Sequence, residues 1–557
     1  MTTTQRSFLW TLLLALLLGF SFQGARGIWD ADEGRYVNVA LQMLDSGDWS
    51  LPRRHPDTLH LTKPPLTYWA IAASASVFGN SEQALRLPNT LAYVLTVLLC
   101  FGIGRRLMIR TGHADFYCGA TGRTSTGAPS VAVLTGPSSP TARGSVAITG
   151  ADTPCDVSRR IPHDLSGFAR PWLPALVYAT LPMPFLASSW ITTDTLLTAF
   201  EALALYCCVE ACFGGHRRAV SQRWVLAMWA AFGLAFLTKG PPSLLPLLGL
   251  MLWRFGGRED IRAPRLFPVS GVLLFLLVGG SWYVWAMLKV PGLFDYYVGR
   301  EVADRVLSED FERFPQWWGA FYVYGLAFLL GAIPWLYASG LRRDGWLRRR
   351  PRLAGFRDRW RALPASQRLL WLWLLLPLAV FFLARSRLPL YVLPLFVPMA
   401  VLIAQAIGQR SPGRIAWIGV GVWCALLLAL KFATGFYEHR KDGRQLATEI
   451  LPVIGEWPAE LVFIDDYPRY SLAPYCGCRI EMVSLDDLPR PRPLAGSRFD
   501  DDFASEMAQP EGPRAFIMDA SRAAYFEKVA AAHGHRVRQL GGYRQRVIYR
   551  LDSDPPR

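Results

Sequence analysis

Blocks of apolar residues, each close to the length of a membrane-spanning helix, constrain the fold of this chain more than any other feature. About 20 apolar residues in a helix cross the hydrocarbon core of a bilayer. Roughly eleven runs approach that length, at 8–24, 84–104, 168–189, 191–213, 221–238, 239–255, 265–288, 316–341, 367–386, 387–408 and 413–432. The first run lacks a convincing cleavage pattern, so we expect an uncleaved span rather than a signal peptide. The blocks predict a polytopic α-helical membrane protein with roughly 11–13 spans.

The formal net charge of +16 is distributed as in a membrane protein rather than a nucleic-acid-binding protein. Nine arginines fall between Arg342 and Arg361, and Arg217, Arg218 and Arg223 occupy another short connection. Short loops rich in Lys and Arg are typical of the cytoplasmic side of a membrane. We therefore expect membrane lipids among the partners, and no nucleic acid.

A topology with a cytoplasmic N-terminus satisfies this charge rule at every basic connection. The alternation then places several chemically suggestive segments together on the opposite face: the loop 25–83, Asp194, Lys239, the loop 289–315 and 385–387. This convergence predicts an active site on the extracytoplasmic face. The odd number of spans also places the C-terminal region there.

The outer loop 25–83 contains two patterns of a short interfacial helix. In the first, apolar residues recur at helical spacing from Tyr36 to Leu44, with Asp32 as a candidate N-cap and Gly47 as a stop. The second runs from Leu66 to Phe78 and is opened by two prolines.

Two regions depart from the membrane pattern. The segment 109–167 is an atypical low-complexity insert in a cytoplasmic loop, and it carries no functional prediction. After the membrane domain 1–432, residues 433–557 predict a small soluble α/β domain, with strands at 460–464 and 514–518, a helix at 520–533 and further strands within 536–551.

The cysteines predict packing rather than chemistry. Cys207, Cys208 and Cys212 lie within one apolar helix. Cys476 and Cys478 have a spacing that rarely favours a mutual disulfide, and no histidine cluster accompanies them.

Each candidate site residue also has a plain structural interpretation. Asp32 is a general base or a helix cap, and Asp194 is a buried functional carboxylate or a cap. Lys63 binds a phosphate or lies at the interface as an anchor. The same alternatives hold for Lys239, which precedes a Gly-Pro-Pro turn, and for Arg387, whose guanidinium can bind phosphate bidentately.

Taken together, these motifs resemble a known family. Asp32-Glu-Gly-Arg-Tyr36 and Lys63-Pro-Pro-Leu66 followed by Tyr68-Trp69 resemble motifs in the first outer loop of bacterial aminoarabinose transferases. Further matches in the family's order are Ala84-Leu-Arg-Leu-Pro88, Thr192-Thr-Asp194, Leu237-Thr-Lys-Gly-Pro241 and Arg387-Leu-Pro-Leu-Tyr-Val-Leu-Pro394. The pattern is similar to the GT-C superfamily, which includes the dolichyl-phosphate-mannose protein mannosyltransferases.

The resemblance implies a GT-C fold and a set of site residues. It implies catalytic roles for Asp32 and Asp194. It implies that the donor phosphate is bound by Arg35, Lys63, Arg387 and Arg305, and that the substrate pocket is lined by Glu33, Tyr36, Tyr68, Lys239, Glu301 and Tyr391. No cofactor is implied.

Two departures from the family pattern concern a metal. Aminoarabinose transferases usually have Glu where this chain has Thr62, and often have His where it has Val302. Both positions are metal-contacting candidates in that family. We therefore expect no metal at these positions, and the identity of the sugar stays open.

The resemblance implies an enzyme of the bacterial inner membrane, with its active site facing the periplasm. It would transfer a sugar from undecaprenyl phosphate to lipid A, to a protein or to another envelope glycan. A protein O-mannosyltransferase-like enzyme is one alternative. A lipid-linked sugar flippase or transporter is another, as is a binding protein without turnover.

Overall fold

A computed structural model describes residues 1–108, 170–255, 264–297, 318–340, 360–408, 413–488, 499–509 and 512–551, together with residues 314, 316 and 355. The insert 109–167 therefore lies outside the described residues. So do three loop positions for which we made predictions: Glu301, Val302 and Arg305.

Eight helices within the described ranges are long and apolar enough to cross a membrane. They are Thr3–Phe20, Glu82–Leu107, Thr193–Phe213, Arg218–Lys239, Val269–Lys289, Ala365–Leu383, Pro389–Ile407 and Arg414–Phe436. Each corresponds to one of the apolar runs in the sequence, because length and hydropathy are what a bilayer requires of a span. The chain is thus a polytopic helical membrane protein.

The other three predicted spans are interrupted. Pro182 separates the helix Trp172–Thr180 from Pro182–Ala187. A short 3-10 turn at Pro241–Leu244 precedes the 11-residue helix Leu245–Phe255. In the last, Ile333 and Pro334 lie between the helices Leu326–Ala332 and Trp335–Gly340. Proline lacks an amide donor and ends the regular hydrogen-bond pattern at these points.

The outer loop forms a compact layer built on two helices, Asp32–Ser46 and Leu66–Phe78. Gly47 ends the first helix in the left-handed region, as predicted, but Asp32 is its first helical residue rather than its cap. A small hairpin joins the helices, with β1 at Arg53–His55 and β2 at Thr58–Leu59. Apolar side chains of the two helices share one buried core.

The C-terminal region folds around a six-stranded sheet with the order β5-β4-β3-β6-β8-β7. The strands are β3 at Glu460–Ile464, β4 at Arg479–Ser484, β5 at Asp501–Asp502, β6 at Arg514–Asp519, β7 at Val537–Tyr543 and β8 at Arg546–Leu551. Strands β3 to β6 pair in parallel and β7 and β8 antiparallel. The helices Gly443–Ile454, Phe503–Ala508 and Ala523–Ala532 accompany the sheet, and buried cores lie on both of its faces.

Polar contacts join this sheet region to the outer loop. Asp442 accepts hydrogen bonds from the Gly27 amide at 3.0 Å and the Trp29 indole at 2.9 Å. Buried Asp30 accepts from the Ser471 amide at 2.9 Å and the Ser471 hydroxyl at 2.6 Å. Burial raises the pKa of the Asp30 carboxyl to about 6, although the Ser471 bonds oppose the shift.

The cysteines differ from expectation in one respect. Cys476 and Cys478 form a disulfide across the turn at Gly477, so the prediction of no mutual bridge was wrong. Gly477 adopts a left-handed conformation, which lets the chain reverse between the two cysteines. Cys207 and Cys208 are buried within a helix, as predicted.

Candidate active site

Glu33 and Asp32 are neighbours in sequence with opposite environments. The Glu33 carboxylate is fully buried between two guanidinium groups, Arg26 at 2.5 Å and Arg86 at 3.2 Å. It also accepts hydrogen bonds from the amides of Trp29 and Ile191, each at 3.0 Å. Burial alone would raise the pKa of Glu33, but the two arginines lower it to about 2.

These contacts give Glu33 a structural role. Arg86 extends the cluster by donating to the carbonyls of Gln23, Arg26 and Gly27. The cluster therefore ties the start of the outer loop to the helix Glu82–Leu107 and to the chain before Asp194. Glu33 was predicted to line a substrate pocket, whereas its carboxylate is enclosed and saturated with donors.

Asp32, by contrast, is open to solvent. Its carboxylate is 2.5 Å from the Arg35 guanidinium, and the two side chains are 52% and 34% exposed. An exposed ion pair contributes little to stability. Both groups are thus available to a ligand, one as an acceptor and the other as a donor.

Tyr36 lies between Asp32 and Asp194. Its ring packs on that of Tyr68 with centroids 5.6 Å apart, and its hydroxyl bonds to Thr193. Burial raises the pKa of Tyr36, with Arg35 opposing the shift and the two aspartates adding to it. The Tyr68 hydroxyl is buried and has no hydrogen-bond partner among the described residues.

Asp194 forms a salt bridge with Lys239, and both side chains are less than a tenth exposed. Thr192, rather than Asp194, occupies the N-cap position of the helix Thr193–Phe213, so the capping interpretation is wrong. The Lys239 ammonium also lies 4.4 Å from the centroid of the Tyr391 ring, a cation–π contact. The predicted site residues Asp194, Lys239 and Tyr391, which come from three membrane segments, therefore lie together.

A positive cluster lies beside Tyr68. His60 contacts the Tyr68 ring, with centroids 6.2 Å apart, and its Nε2 is 3.0 Å from the Thr62 hydroxyl. Burial lowers the pKa of His60 well below its usual value, and the charges of Arg35, Arg54 and Lys63 lower it further. His60 is therefore a neutral imidazole within electrostatic range of three cations, a setting suited to an anion. Two of these cations are paired, Arg35 with Asp32 and Arg54 with Asp500.

Arg387 is buried and already has several acceptors. Its guanidinium donates to the carbonyls of Phe314 at 2.5 Å, Gln316 at 2.9 Å and Phe382 at 3.2 Å, whereas its Nε has no partner among the described residues. Its charge also influences Tyr324, which interacts with Tyr391 as well. Arg387 thus lies near the Tyr391 side of the site and orders the chain around it.

The sequence did not single out several residues at this site. Glu201, seven positions after Asp194 on the same helix, is buried and interacts electrostatically with Asp194 and Lys239. Helical spacing was the available signal, since residues seven apart share a face. Tyr467, from the C-terminal sheet region, interacts electrostatically with Arg35 and Asp32, and no local pattern could have indicated it.

Comparisons with known proteins show which proteins the chain is similar to. Residues 62–114 match the family described as Dolichyl-phosphate-mannose-protein mannosyltransferase. The chain is 28% identical over 513 residues to an undecaprenyl phosphate-alpha-4-amino-4-deoxy-L-arabinose arabinosyl transferase of Pseudomonas paraeruginosa, covering 89% of this chain and 78% of that protein. A Proteus mirabilis protein, arabinosyl transferase 2 of the same description, is 23% identical over 410 residues, covering 73% and 60%.

Solved structures share the fold. A crystal structure of ArnT from Cupriavidus metallidurans bound to undecaprenyl phosphate superposes with a TM-score of 0.68 at 18% identity, covering all of both chains. The apo crystal structure of the same protein gives 0.67 at 17% identity, covering 99% of this chain and 98% of that one. The chain is thus similar to the aminoarabinose transferases over most of its length, and it shares the fold of these two structures.

Proposed function

We propose that this protein transfers a sugar from undecaprenyl phosphate to an acceptor at the membrane surface, with 4-amino-4-deoxy-L-arabinose as the first sugar to test and lipid A as the first acceptor. The observation that carries the proposal is the placement of an exposed carboxylate, Asp32, beside an electropositive cluster in the outer loop. The likeness to arabinosyl transferases over most of the chain supports the same reaction class.

The electropositive cluster suits the donor phosphate. The charges of Arg35, Arg54 and Lys63 each lower the pKa of His60, so all three lie within electrostatic range of this imidazole. Among them, Arg35 and Lys63 belong to the two outer-loop motifs. Cations placed where negative charge develops on a leaving phosphate stabilise the transition state.

The transfer itself exchanges one bond for another. The bond between the sugar's anomeric carbon and the phosphate oxygen breaks, and the lipid phosphate leaves with the electron pair. An acceptor oxygen forms the new bond to the anomeric carbon. When the acceptor is a hydroxyl, Asp32 takes its proton; when it is a phosphate oxygen, no base is required. Asp194 and Lys239 would then line the sugar side of the site.

The charge distribution of the loops supports a periplasmic orientation of this site. Basic connections at 216–218 and 342–366 favour the cytoplasm, and the outer loop falls on the other side. Nucleotide sugars are absent from that compartment, which suits a donor carried on a lipid.

A competing function is movement of the lipid-linked sugar across the membrane without chemistry. Transporters place charged residues near the centre of the bilayer, at the substrate path. The pair of Asp194 and Lys239 lies instead at helix ends, Lys239 being the last residue of Arg218–Lys239. Glu201, however, lies further inside its span, where the transport alternative would place a charged residue. The experiment below therefore measures transport as well as transfer.

The test is a transfer assay with the purified protein in liposomes. Labelled undecaprenyl-phosphate-linked aminoarabinose is offered with lipid A, with a peptide acceptor, or with no acceptor. We expect label on lipid A with the wild-type protein and with Asp45→Asn, an exposed residue on the helix of Asp32. Label on the peptide would identify a protein, rather than lipid A, as the acceptor. Translocated but uncleaved donor would contradict the proposal.

A further inference from the structure

A second cluster of ionisable side chains lies where the outer-loop hairpin meets the C-terminal sheet. His55 ends strand β1, Glu460 begins β3 and Glu481 lies within β4. Each of the three side chains is 1% exposed. Their potential ligand atoms all lie within 4.8 Å of one another.

The hydrogen bonds of His55 leave one ring nitrogen free. Nε2 lies 2.9 Å from a Glu460 carboxylate oxygen, so in the neutral imidazole this nitrogen carries the proton and donates it. Nδ1 then bears a lone pair, has no hydrogen-bond partner among the described residues and lies 3.9 Å from a Glu481 oxygen. Two buried acceptors thus face each other, which is costly unless a cation or a proton lies between them.

Further ionisable side chains lie around these three. Glu506, which is fully buried, lies beside Glu481. Arg514 is 2.8 Å from Glu506 and 3.6 Å from Glu460. Arg54 is already paired with Asp500 at 2.5 Å. Several buried carboxyl groups therefore lie close together beside His55, and a cation bound among them would offset their burial.

We propose that His55 Nδ1 and the Glu481 carboxylate bind a divalent transition-metal ion, with Glu460 orienting the imidazole through Nε2. Mixed nitrogen and oxygen donors suit zinc or a related ion, whereas magnesium and calcium prefer oxygen alone. A carboxylate that holds the second nitrogen of a metal-binding histidine is a common arrangement. The separation of 3.9 Å requires an approach of about half an ångström to reach tetrahedral geometry with bonds of about 2.0 Å.

The proposed ion would join the hairpin to the sheet, apart from the positions of Thr62 and Val302. Its ligand His55 comes five residues before His60 and eight before Lys63 in the same loop. A metal here would therefore restrain the segment that carries the positive cluster. The proposal does not depend on the transfer reaction, because it concerns the structure of the loop.

The test measures zinc binding to the purified full-length protein in detergent after treatment with a chelator. We expect about one zinc ion per chain, with nitrogen and oxygen ligands by X-ray absorption and a higher Tm on zinc addition. Glu460→Gln should weaken zinc affinity about 10–100-fold, and His55→Gln or Glu481→Gln at least as much. Glu449→Gln, which alters a partly exposed ion pair with Arg544, should bind zinc normally.

Three results would overturn the metal site. They are wild-type protein that takes up no zinc, sulfur ligands around the bound ion, and zinc affinity unchanged in His55→Gln. If a variant fails to fold, the stoichiometry and ligand type measured on the wild-type protein still decide the question. If the protein holds no zinc and has a normal Tm, a proton on His55 or Glu481, rather than a metal ion, lies between the two side chains.

Discussion

Lys239 and Asp194, at the end of one membrane helix and the start of another, form a buried salt bridge, and Lys239 also lies over the ring of Tyr391. The two helices Thr193–Phe213 and Arg218–Lys239 pack along their length and are joined by a short connection. The salt bridge therefore places two opposite charges where these helices meet the outer loop.

We predict that Asp194→Asn abolishes transfer and lowers the free energy of unfolding by roughly 3–5 kcal/mol, because it leaves the Lys239 charge buried without its partner. Adding Lys239→Met should recover most of the stability but none of the activity. Thermal unfolding in detergent and the transfer assay measure the two effects separately. A stable and active double variant would show that the pair is structural only.

Asp32 and Glu33 should respond oppositely to neutralisation. Asp32→Asn is expected to leave stability within about 1 kcal/mol of the wild type, since its ion pair is exposed. Its transfer rate should fall by roughly 100-fold or more when the acceptor is a hydroxyl. Glu33→Gln should cost roughly 3–5 kcal/mol, since it leaves Arg26 and Arg86 facing a neutral group.

Both carboxylate variants are measured by thermal unfolding and by transfer per folded molecule. Asp45→Asn is the matched control, because it is exposed on the same helix. Equal losses of stability in Asp32→Asn and Glu33→Gln would contradict the distinction that the structure makes between them.

Asp30 should make the contact between the outer loop and the C-terminal sheet region sensitive to pH. Its pKa is about 6 in the folded protein, against 3.8 for an unperturbed aspartate, so folding binds a proton between these values. The resulting stability is present below about pH 4 and is lost as pH rises through 6, by about 3 kcal/mol. Asp30→Asn should lack this component, and Tm measured from pH 4 to 7 for both proteins checks it. Identical pH profiles would contradict the assignment.

Lys63 should affect donor use more than folding. Removing a charge that bonds to a phosphate costs about 1.5–3 kcal/mol, so Lys63→Met is expected to lower kcat/KM for the donor by roughly 10–100-fold. Lys441→Met serves as a control, because Lys441 is exposed and lies in the C-terminal region. Steady-state kinetics with varied donor measure both, and equal values for the two variants would remove Lys63 from the donor site.

The membrane spans were largely predictable because hydropathy over about 20 residues reflects a direct requirement of the bilayer. The interruptions at Pro182 and Pro334 were not predicted, because apolar residues flank both prolines and each run was interpreted as one continuous span. In the C-terminal domain, β3 was predicted with the observed bounds Glu460–Ile464. Strand β4 was missed, because Arg479 and Glu481 place charges in its pattern.

At the candidate site, the sequence predicted that the motifs lie on one face of the membrane, but it did not indicate the different environments of neighbouring residues. Asp32 and Glu33 are adjacent, and no local pattern separates the exposed carboxylate from the buried one. The difference arises from Arg86, which lies 53 residues from Glu33, and from the Ile191 amide. Contacts of that range depend on the packing of several helices and cannot be derived from spacing.

The most direct test of the proposed function compares donor cleavage with sugar transfer in one sample. Purified protein in liposomes receives undecaprenyl phosphate labelled in the lipid and carrying a second label in the sugar, together with lipid A. We expect one undecaprenyl phosphate released for each sugar that appears on lipid A, and release of neither product by Asp194→Asn. Intact donor recovered after prolonged incubation with the wild-type protein and every acceptor tested would contradict the proposed function.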